Sequence, residues 1–225
     1  MTDVPEKPLV VFGAAQMAEI AAYYFTREAG RAVAAFTVDD PSAAPETFCG
    51  CPVVGVGEVA DRFPPATHDA FVAIGYSKLN AVRRAKCEAL RALGYRLASF
   101  VSPRAYVAGN AAHGDNCLIL EHNTVQPFVR IGDGVTLWSG NHIGHHSIIG
   151  DYAFVSSHVV VSGNCTVGEA CFLGVNSALN DGVTLGARCV LGSGSLVVKD
   201  VEAEGVLSAE PAALSRVPSS RLRGF

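Results

Sequence analysis

Residues 143–168 read IGHHSIIGDYAFVSSHVVVSGNCTVG, with an aliphatic side chain at every sixth position from Ile143 to Val167. The same phase extends from Val101 to Val197, and His113 is its only exception. A period of six matches neither the 3.6-residue turn of an α-helix nor the two-residue alternation of a β-strand, so it indicates a repeat unit in its own right. The pattern therefore predicts a solenoid.

A second column supports this interpretation, because a small residue usually follows four positions after the aliphatic one, as at Ser147, Ala153 and Cys165. Glycine often comes directly after the aliphatic residue, where the backbone has to turn. Each hexapeptide then forms one short parallel strand, and three hexapeptides complete one coil. This hexapeptide pattern is typical of the left-handed parallel β-helix, which we predict for residues 101–205.

The composition is that of a well-packed protein without a membrane span. Of the 225 residues, 49% are hydrophobic and 17% are charged, and the net charge of -4 provides no basic face for nucleic acid. The segment Met1–Lys7 is too polar to begin a secretory signal, so we expect a cytoplasmic protein with no membrane partner. Most of the seven cysteines fall in the small column or in a helical pattern, and we predict neither disulfides nor a metal site.

Before the solenoid, short hydrophobic runs alternate with helical patterns. We predict strands at 8–13, 33–38 and 68–76 and helices at 16–28 and 79–93. This alternation is typical of a parallel sheet flanked by helices. We therefore assign residues 1–100 to a small Rossmann-like α/β domain and residues 206–225 to a C-terminal tail.

Parallel sheets bind ligands at the carboxyl ends of their strands, beside helix N-termini that attract phosphate. In this chain that edge contains Gly13, Ala14, the pair Asp39 and Asp40, and Gly75. Segment 13–18 keeps only the first glycine of the dinucleotide-binding fingerprint. The residues alone leave two interpretations open: a nucleotide site, or a strand-to-helix turn with solvated carboxylates.

Together these parts resemble the sugar O/N-acyltransferases of the sialic acid O-acetyltransferase type. Within that group, the chain is most similar to N-acetyltransferases of nucleotide-linked 4-amino-4,6-dideoxy sugars, such as those that make bacillosamine and N-acetylperosamine. The resemblance rests on an α/β domain joined directly to a hexapeptide solenoid with a histidine-rich coil, NHIGHHSIIG at residues 141–150. It implies a homotrimer whose α/β domain binds the nucleotide sugar and whose solenoids bind acetyl-CoA between neighbouring subunits.

The resemblance also implies roles for single residues. The Gly13–Ala14 turn, the Asp39–Asp40 pair and Gly75 match the family's nucleotide-sugar contacts. His145 matches the histidine of the family's His-x-x-(Ile/Val)-Ile-Gly segment and would act as the general base. His146 stands where the bacillosamine-type enzymes have a glutamate, and we expect it to be either a partner of His145 or a surface residue.

The stacking of coils indicates further site residues, because side chains one coil apart lie one strand spacing apart. Gly163 follows His145 by one coil, so we expect an open notch beside His145 that admits the coenzyme. His158 and Asn176 share another column that we predict to contact the coenzyme. His142 could line the same cleft as His145.

We therefore predict an acetyl-CoA-dependent N-acetyltransferase that acts on the 4-amino group of a nucleotide-linked 4-amino-4,6-dideoxy sugar by direct attack. The backbone N–H of Gly144 or of Gly163 is the expected donor to the oxyanion. Sugar O-acetylation of the sialic acid type is the alternative. A zinc site like that of γ-type carbonic anhydrases and a non-enzymatic sugar-binding module are two further hypotheses, which a metal assay and a test of acetyl-CoA binding would separate from the first.

Overall fold

The computed structural model describes residues 6–221. Residues 1–5 of the predicted N-terminal domain and residues 222–225 of the predicted tail lie outside the described residues. Between residues 6 and 221, no helix is both long and apolar enough to cross a membrane. A sheet with flanking helices comes first along the chain, and a three-sided stack of short strands follows it.

The N-terminal unit is built on a five-stranded sheet. Its strands are β1 (Leu9–Phe12), β2 (Val33–Val38), β3 (Thr47–Phe48), β4 (Cys51–Gly55) and β5 (Asp69–Val72). The spatial order is β3-β4-β2-β1-β5, and only the β3–β4 pair is antiparallel. All four residues of β1 are buried, as expected of a parallel strand covered on both faces.

Three α-helices accompany this sheet: α1 (Gln16–Arg27), α2 (Val59–Arg62) and α3 (Ala81–Ala92). The predicted helices at 16–28 and 79–93 and the predicted strand at 33–38 are confirmed to within two residues at each end. The sequence did not predict β3 or α2. Elements of two and four residues are too short to show a period.

From Phe100 onward, two-residue strands stack into three parallel sheets, which form the faces of a prism. Face 1 consists of Phe100–Val101, Leu118–Ile119, Thr136–Leu137, Phe154–Val155, Phe172–Leu173, Val190–Leu191 and Val206–Leu207. Face 2 consists of Tyr106–Val107, Thr124–Val125, His142–Ile143, Val160–Val161, Ala178–Leu179 and Leu196–Val197. Face 3 consists of Ala112–His113, Arg130–Ile131, Ile148–Ile149, Thr166–Val167 and Thr184–Leu185.

Each coil of this prism takes 18 residues, since Thr124 pairs with His142 and Ile131 pairs with Ile149 (142 - 124 = 18; 149 - 131 = 18). The predicted aliphatic column fills the interior, and most of its members are fully buried. The interior core also contains four cysteines: Cys117, Cys165, Cys171 and Cys189. Stacked hexapeptides and three parallel sheets fit the predicted left-handed β-helix.

The corners of the prism follow a third six-residue rule. From Asn116 to Gly194, the third residue after each aliphatic position has a positive φ of 53° to 79°. Glycine, asparagine and histidine tolerate this left-handed conformation better than most residues. Three of the seven histidines, His122, His146 and His158, stand at such corners.

The N-terminal unit packs against face 1. Phe25 of α1 and Leu9 of β1 share one core with Phe100 and Leu118 of face 1. Arginines of α3 bind acidic residues at the corner between faces 3 and 1: Arg84 pairs with Glu169 and Arg91 with Asp133, each at 2.6 Å.

A buried carboxylate at the first residue of β5 links the sheet to two arginines. Asp69 of β5 has no exposed surface, and it accepts hydrogen bonds from Arg31, which is also buried, and from Arg96. Burial by itself would raise the pKa of Asp69, but the hydrogen bonds and charges of Arg96 and Arg31 outweigh it and hold the pKa below its ordinary value of 3.8.

We expect Asp69→Asn to lower the free energy of unfolding by about 3 kcal/mol near neutral pH, because the buried Arg31 would keep only the exposed Glu6 carboxylate, 3.7 Å away, as an ionic partner. Since the folded pKa is depressed, this contribution is complete above about pH 4 and is lost as the pH falls through the folded value. Urea unfolding of both proteins from neutral pH downward measures the effect. Asp61→Asn, at an exposed aspartate of α2, is the control; equal stability of the two variants would contradict the assignment.

Candidate active site

The strand ends predicted to bind the nucleotide meet at one edge of the N-terminal sheet. Gly13 follows β1 with a φ of 118°, a conformation that favours glycine, and a side chain there would approach the Ala73 carbonyl oxygen to 3.1 Å. Gly13, Ala14 and Gly75 are all half-buried. The structure therefore places these three predicted residues together at the carboxyl ends of β1 and β5.

The two aspartates that follow β2 are exposed but differ in their contacts. Asp39 binds the Lys86 ammonium of α3 through Oδ1 at 2.6 Å. Asp40 accepts hydrogen bonds from the backbone N–H and the hydroxyl of Ser42, which hold its pKa below the ordinary value, and it caps the short 3₁₀ helix Pro41–Ala43. Asp40 is thus engaged in local structure, whereas Asp39 faces a lysine.

A pocket of about 240 Å³ lies between the N-terminal unit and face 1. Met17 of α1 and Tyr76, which follows Gly75, line it on one side, and Trp138 and Phe154 line it on the other. The Tyr76 ring packs against Phe154 at a centroid distance of 5.0 Å. Sequence reasoning missed this pocket. Its signal was the column of outward aromatic residues on face 1, Phe154 and, one coil later, Phe172.

The histidine-rich coil lies at the corner between faces 2 and 3. His142 is half-buried on face 2, and His145 and His146 are exposed in the turn that follows. Nδ1 of His145 lies 3.2 Å from Nδ1 of His146, so one ring donates a hydrogen bond to the other. The His146 ring stacks on Phe128 at a centroid distance of 4.6 Å. The backbone N–H of His145 donates a hydrogen bond to Gln126 Oε1 at 2.8 Å.

The space predicted to be an open notch beside His145 is filled by the imidazole itself. A Cβ atom on Gly163 would lie 2.6 Å from Cε1 and 2.7 Å from Nε2 of His145. The ring therefore lies directly against the glycine of the next coil. Gly163 is required for this placement, but it does not leave an empty channel.

The expected oxyanion donors are not free. The N–H of Gly144 donates to the Val161 carbonyl at 2.7 Å, as part of the ladder between coils. The N–H of Gly163 donates to Asp181 Oδ1 at 2.8 Å. The prediction that one of these two groups binds the oxyanion is therefore wrong, because sequence spacing does not reveal which N–H groups the solenoid already uses.

The second predicted column stands at the corner between faces 1 and 2. His158 and Asn176 are exposed there, each with a φ of 57°. A Cβ atom on Gly140, one coil earlier, would lie 2.6 Å from the His158 ring, so His158 covers that glycine. His158 and Asn176 neighbour Ser157 and Val175, which line the pocket described above.

One chain does not bring the two halves of the predicted site together. The strand ends with Gly13 and Gly75 lie on the side of face 1, where Tyr76 packs on Phe154. His145 lies between faces 2 and 3, at the corner opposite face 1 of the three-sided prism.

Within residues 6–221, no group of three or more His, Cys, Asp or Glu side chains could hold a metal ion.

Comparison with known proteins agrees with this architecture. Residues 128–163 match the family model of the bacterial transferase hexapeptide (six repeats). The acetyltransferase domain of PglB from Neisseria gonorrhoeae, solved with acetyl coenzyme A, is 24% identical with a TM-score of 0.80, and the match covers 93% of this chain and 99% of that one. PglB at this identity supports the fold alone.

Two further solved structures match over a similar length. PerB from Caulobacter crescentus, solved with CoA and GDP-perosamine, is 26% identical with a TM-score of 0.80, and the match covers 92% of this chain and 97% of that one. WeeI from Acinetobacter baumannii is 18% identical with a TM-score of 0.72, covering 92% and 98%.

The comparisons confirm the resemblance that the sequence predicted, and with it the class of enzyme. PerB was solved with CoA and GDP-perosamine, and its structure matches this chain over both the sheet and the solenoid. By its repeats, its fold and its likeness to PerB, the chain is a hexapeptide-repeat protein of the acyltransferase class.

Proposed function

We propose that this protein transfers the acetyl group of acetyl-CoA to the 4-amino group of a nucleotide-linked 4-amino-4,6-dideoxy sugar. One observation carries the proposal: in a fold similar to that of PerB, His145 is exposed at a solenoid corner, with Nδ1 bound to His146. Thiol release from acetyl-CoA tests it against UDP-, GDP- and dTDP-linked 4-amino sugars, with sialic acid included. Turnover of sialic acid alone would favour O-acetylation instead.

His145 is suited to serve as the general base through Nε2. In the neutral tautomer with the proton on Nδ1, the Nδ1–H group of His145 donates a hydrogen bond to Nδ1 of His146. Nε2 of His145 then keeps a free lone pair. The amine attacks the thioester carbonyl carbon, and Nε2 accepts the proton that the amine loses. Collapse of the tetrahedral adduct expels the CoA thiolate, which takes up a proton, and leaves the acetamido sugar.

His146 is proposed as the residue that orients the base. Its stacking on Phe128 holds the ring in place, so its Nδ1 can fix both the rotation and the tautomer of His145. Its backbone is left-handed, with a φ of 58°. Asn is therefore the matched substitution at this position, because it tolerates the same backbone.

We propose that residues 1–100 form the Rossmann-like nucleotide-sugar domain and residues 101–205 the acetyl-transfer domain, with 206–225 as a tail. The glycines at the ends of β1 and β5 would allow close approach of the diphosphate. Asp39 is the better candidate for a ribose hydroxyl, since Asp40 already caps a helix. His142, His158, Asn176, Gly144 and Gly163 stay proposed as contacts near the coenzyme and sugar.

We propose that the working form is a cytoplasmic homotrimer in which the site is shared between copies. The opposite placement of His145 and the nucleotide edge supports a shared site. Face 2 exposes Tyr106, Val160 and Leu196, which are 61%, 42% and 63% accessible, and such an apolar face favours burial against another chain.

Replacing His145 tests the base. We expect His145→Asn to bind both substrates but to lower kcat by about 10²–10⁴-fold, the usual contribution of general-base catalysis. His146→Asn should cost less, because the partner orients the base and does not accept the proton. Steady-state kinetics measure both variants; a greater loss for His146→Asn would transfer the role of base to His146.

Crowding His145 from the neighbouring coil tests its placement. Gly163→Ala would put a methyl group 2.7 Å from Nε2 of His145, so we expect kcat to fall by about 10- to 100-fold as the ring moves aside. Gly109→Ala is the matched control, since a Cβ there meets nothing within 4 Å. Unchanged turnover of folded Gly163→Ala would show that the observed ring position is not the catalytic one.

Mixed oligomers test the shared site. Gly13→Val should impair the nucleotide edge, because a side chain there is crowded and the backbone is left-handed. Coexpressed with His145→Asn, it should yield trimers in which about a quarter of the sites combine an intact edge with an intact neighbouring His145. Activity no greater than that of the separate variants would contradict a site formed between copies.

A further inference from the structure

Arg83 of α3 is the largest side chain that is almost fully buried, with 1% of its surface accessible. A buried guanidinium is costly unless its N–H groups are satisfied. Its recorded hydrogen bonds within residues 6–221 all go to backbone carbonyls, and none goes to a carboxylate. Burial lowers the pKa of Arg83 to about 10, so the group still carries its charge at neutral pH.

These carbonyls come from both halves of the chain. In the N-terminal unit, Nη1 donates to Ile74 at 3.2 Å and to Gly75 at 3.1 Å. In the solenoid, Nε donates to Gly134 at 3.0 Å, and Nη2 donates to Tyr152 at 3.0 Å. One rigid fork thus joins the end of β5 to two successive coils.

The Arg83 guanidinium also binds the peptide groups that precede Tyr76 and Phe154, two residues that line the pocket between the N-terminal unit and face 1. The Gly75 carbonyl comes directly before Tyr76, and the Ala153 carbonyl, a longer contact of 3.4 Å to Nη2, comes directly before Phe154. The Arg83 guanidinium carbon also lies 5.9 Å from the centre of the Phe154 ring. Tyr76 and Phe154 both line the pocket, and their rings pack edge to face at a centroid distance of 5.0 Å.

We propose that Arg83 is a positioning residue that fixes how the Tyr76 and Phe154 rings pack at the pocket, and through that packing the fit of the nucleotide-linked sugar at the adjoining strand ends. The inference rests on the proposed function for its substrate. It assigns Arg83 no contact with the reacting atoms. A planar fork with donors in fixed directions can hold several carbonyls at once, which a lysine ammonium cannot do with the same geometry.

Arg83→Lys tests the proposal, with Arg84→Lys and Arg91→Lys as matched controls, because these two arginines also join α3 to the solenoid but do not touch Ile74 or Gly75. We expect Arg83→Lys to raise the KM for the nucleotide sugar about tenfold and to leave the KM for acetyl-CoA within about twofold. The two controls should change neither constant. Equal effects in all three variants, or a parallel rise of both constants in Arg83→Lys, would reduce Arg83 to a docking residue and overturn the proposal.

Hydrogen exchange supplies a readout that needs no substrate. In Arg83→Lys, amide exchange of segment 73–77 should accelerate beyond that of the two controls, while segment 142–148 stays unchanged. Failure of the wild-type protein to acetylate any nucleotide sugar would refute the proposed function, and the exchange result would still decide the role of Arg83. Unchanged exchange at 73–77 would overturn it.

A second variant covers the case in which Arg83→Lys does not fold. Tyr76→Ala removes one of the two rings directly from an exposed position, with Arg83 intact. It should give the same selective rise in the KM for the nucleotide sugar. An unchanged KM would show that the packing of the two rings does not bear on the substrate, and the proposal would fail.

Discussion

Hydrogen bonds between successive coils determine where the side chains of the solenoid lie. The Gly144 N–H and the Val161 carbonyl, for example, join two coils at 2.7 Å, and the same contact recurs around all three faces. Because these bonds fix a coil at 18 residues, a side chain always meets the residue 18 positions away. The position of His145 against Gly163, of His158 against Gly140 and of Phe154 against Phe172 all follow from that ladder.

The same ladder separates the two halves of the proposed site. The N-terminal unit covers the earlier coils of face 1, where Phe100, Leu118 and Phe154 are buried, and it leaves faces 2 and 3 to the surroundings. His145 stands on the corner farthest from that cover. The proposed nucleotide edge and the proposed base can form one site only between two copies of the chain, and closed cyclic association would supply every such site.

Much of this could be predicted from the sequence because repetition amplifies weak signals. One aliphatic residue says little, but seventeen register positions in one phase specify the prism, its interior and the neighbour of His145. The left-handed corners were not predicted, because the turn was expected at the glycine directly after the aliphatic residue. They lie three residues after the aliphatic column, where asparagine, glycine and histidine recur. Histidine at position 146 therefore suits the left-handed backbone of the corner, in addition to its contact with His145.

What escaped prediction depends on tertiary contacts without a period. The acceptors of Arg83 come from segments around residues 74, 134 and 152, which no local pattern relates to α3. Helical spacing does put Arg83 on the buried face with Cys87 and Leu90, but it does not reveal what the guanidinium binds there. The pocket between Tyr76 and Phe154 arises only when the two units dock. The oxyanion donor was misassigned for a related reason, since the N–H groups of Gly144 and Gly163 are consumed by the solenoid and by Asp181.

The coil length also restricts how such a chain can change over evolutionary time. Loss or gain of a whole coil would leave each later side chain on its own face and move it along the axis by one strand spacing, about 4.8 Å. Loss of a single hexapeptide before His145 would instead turn the remainder of the solenoid by one face and carry the histidine pair toward the side that the N-terminal sheet covers. Insertions and deletions within the repeats therefore keep each later side chain on its own face only in multiples of 18 residues.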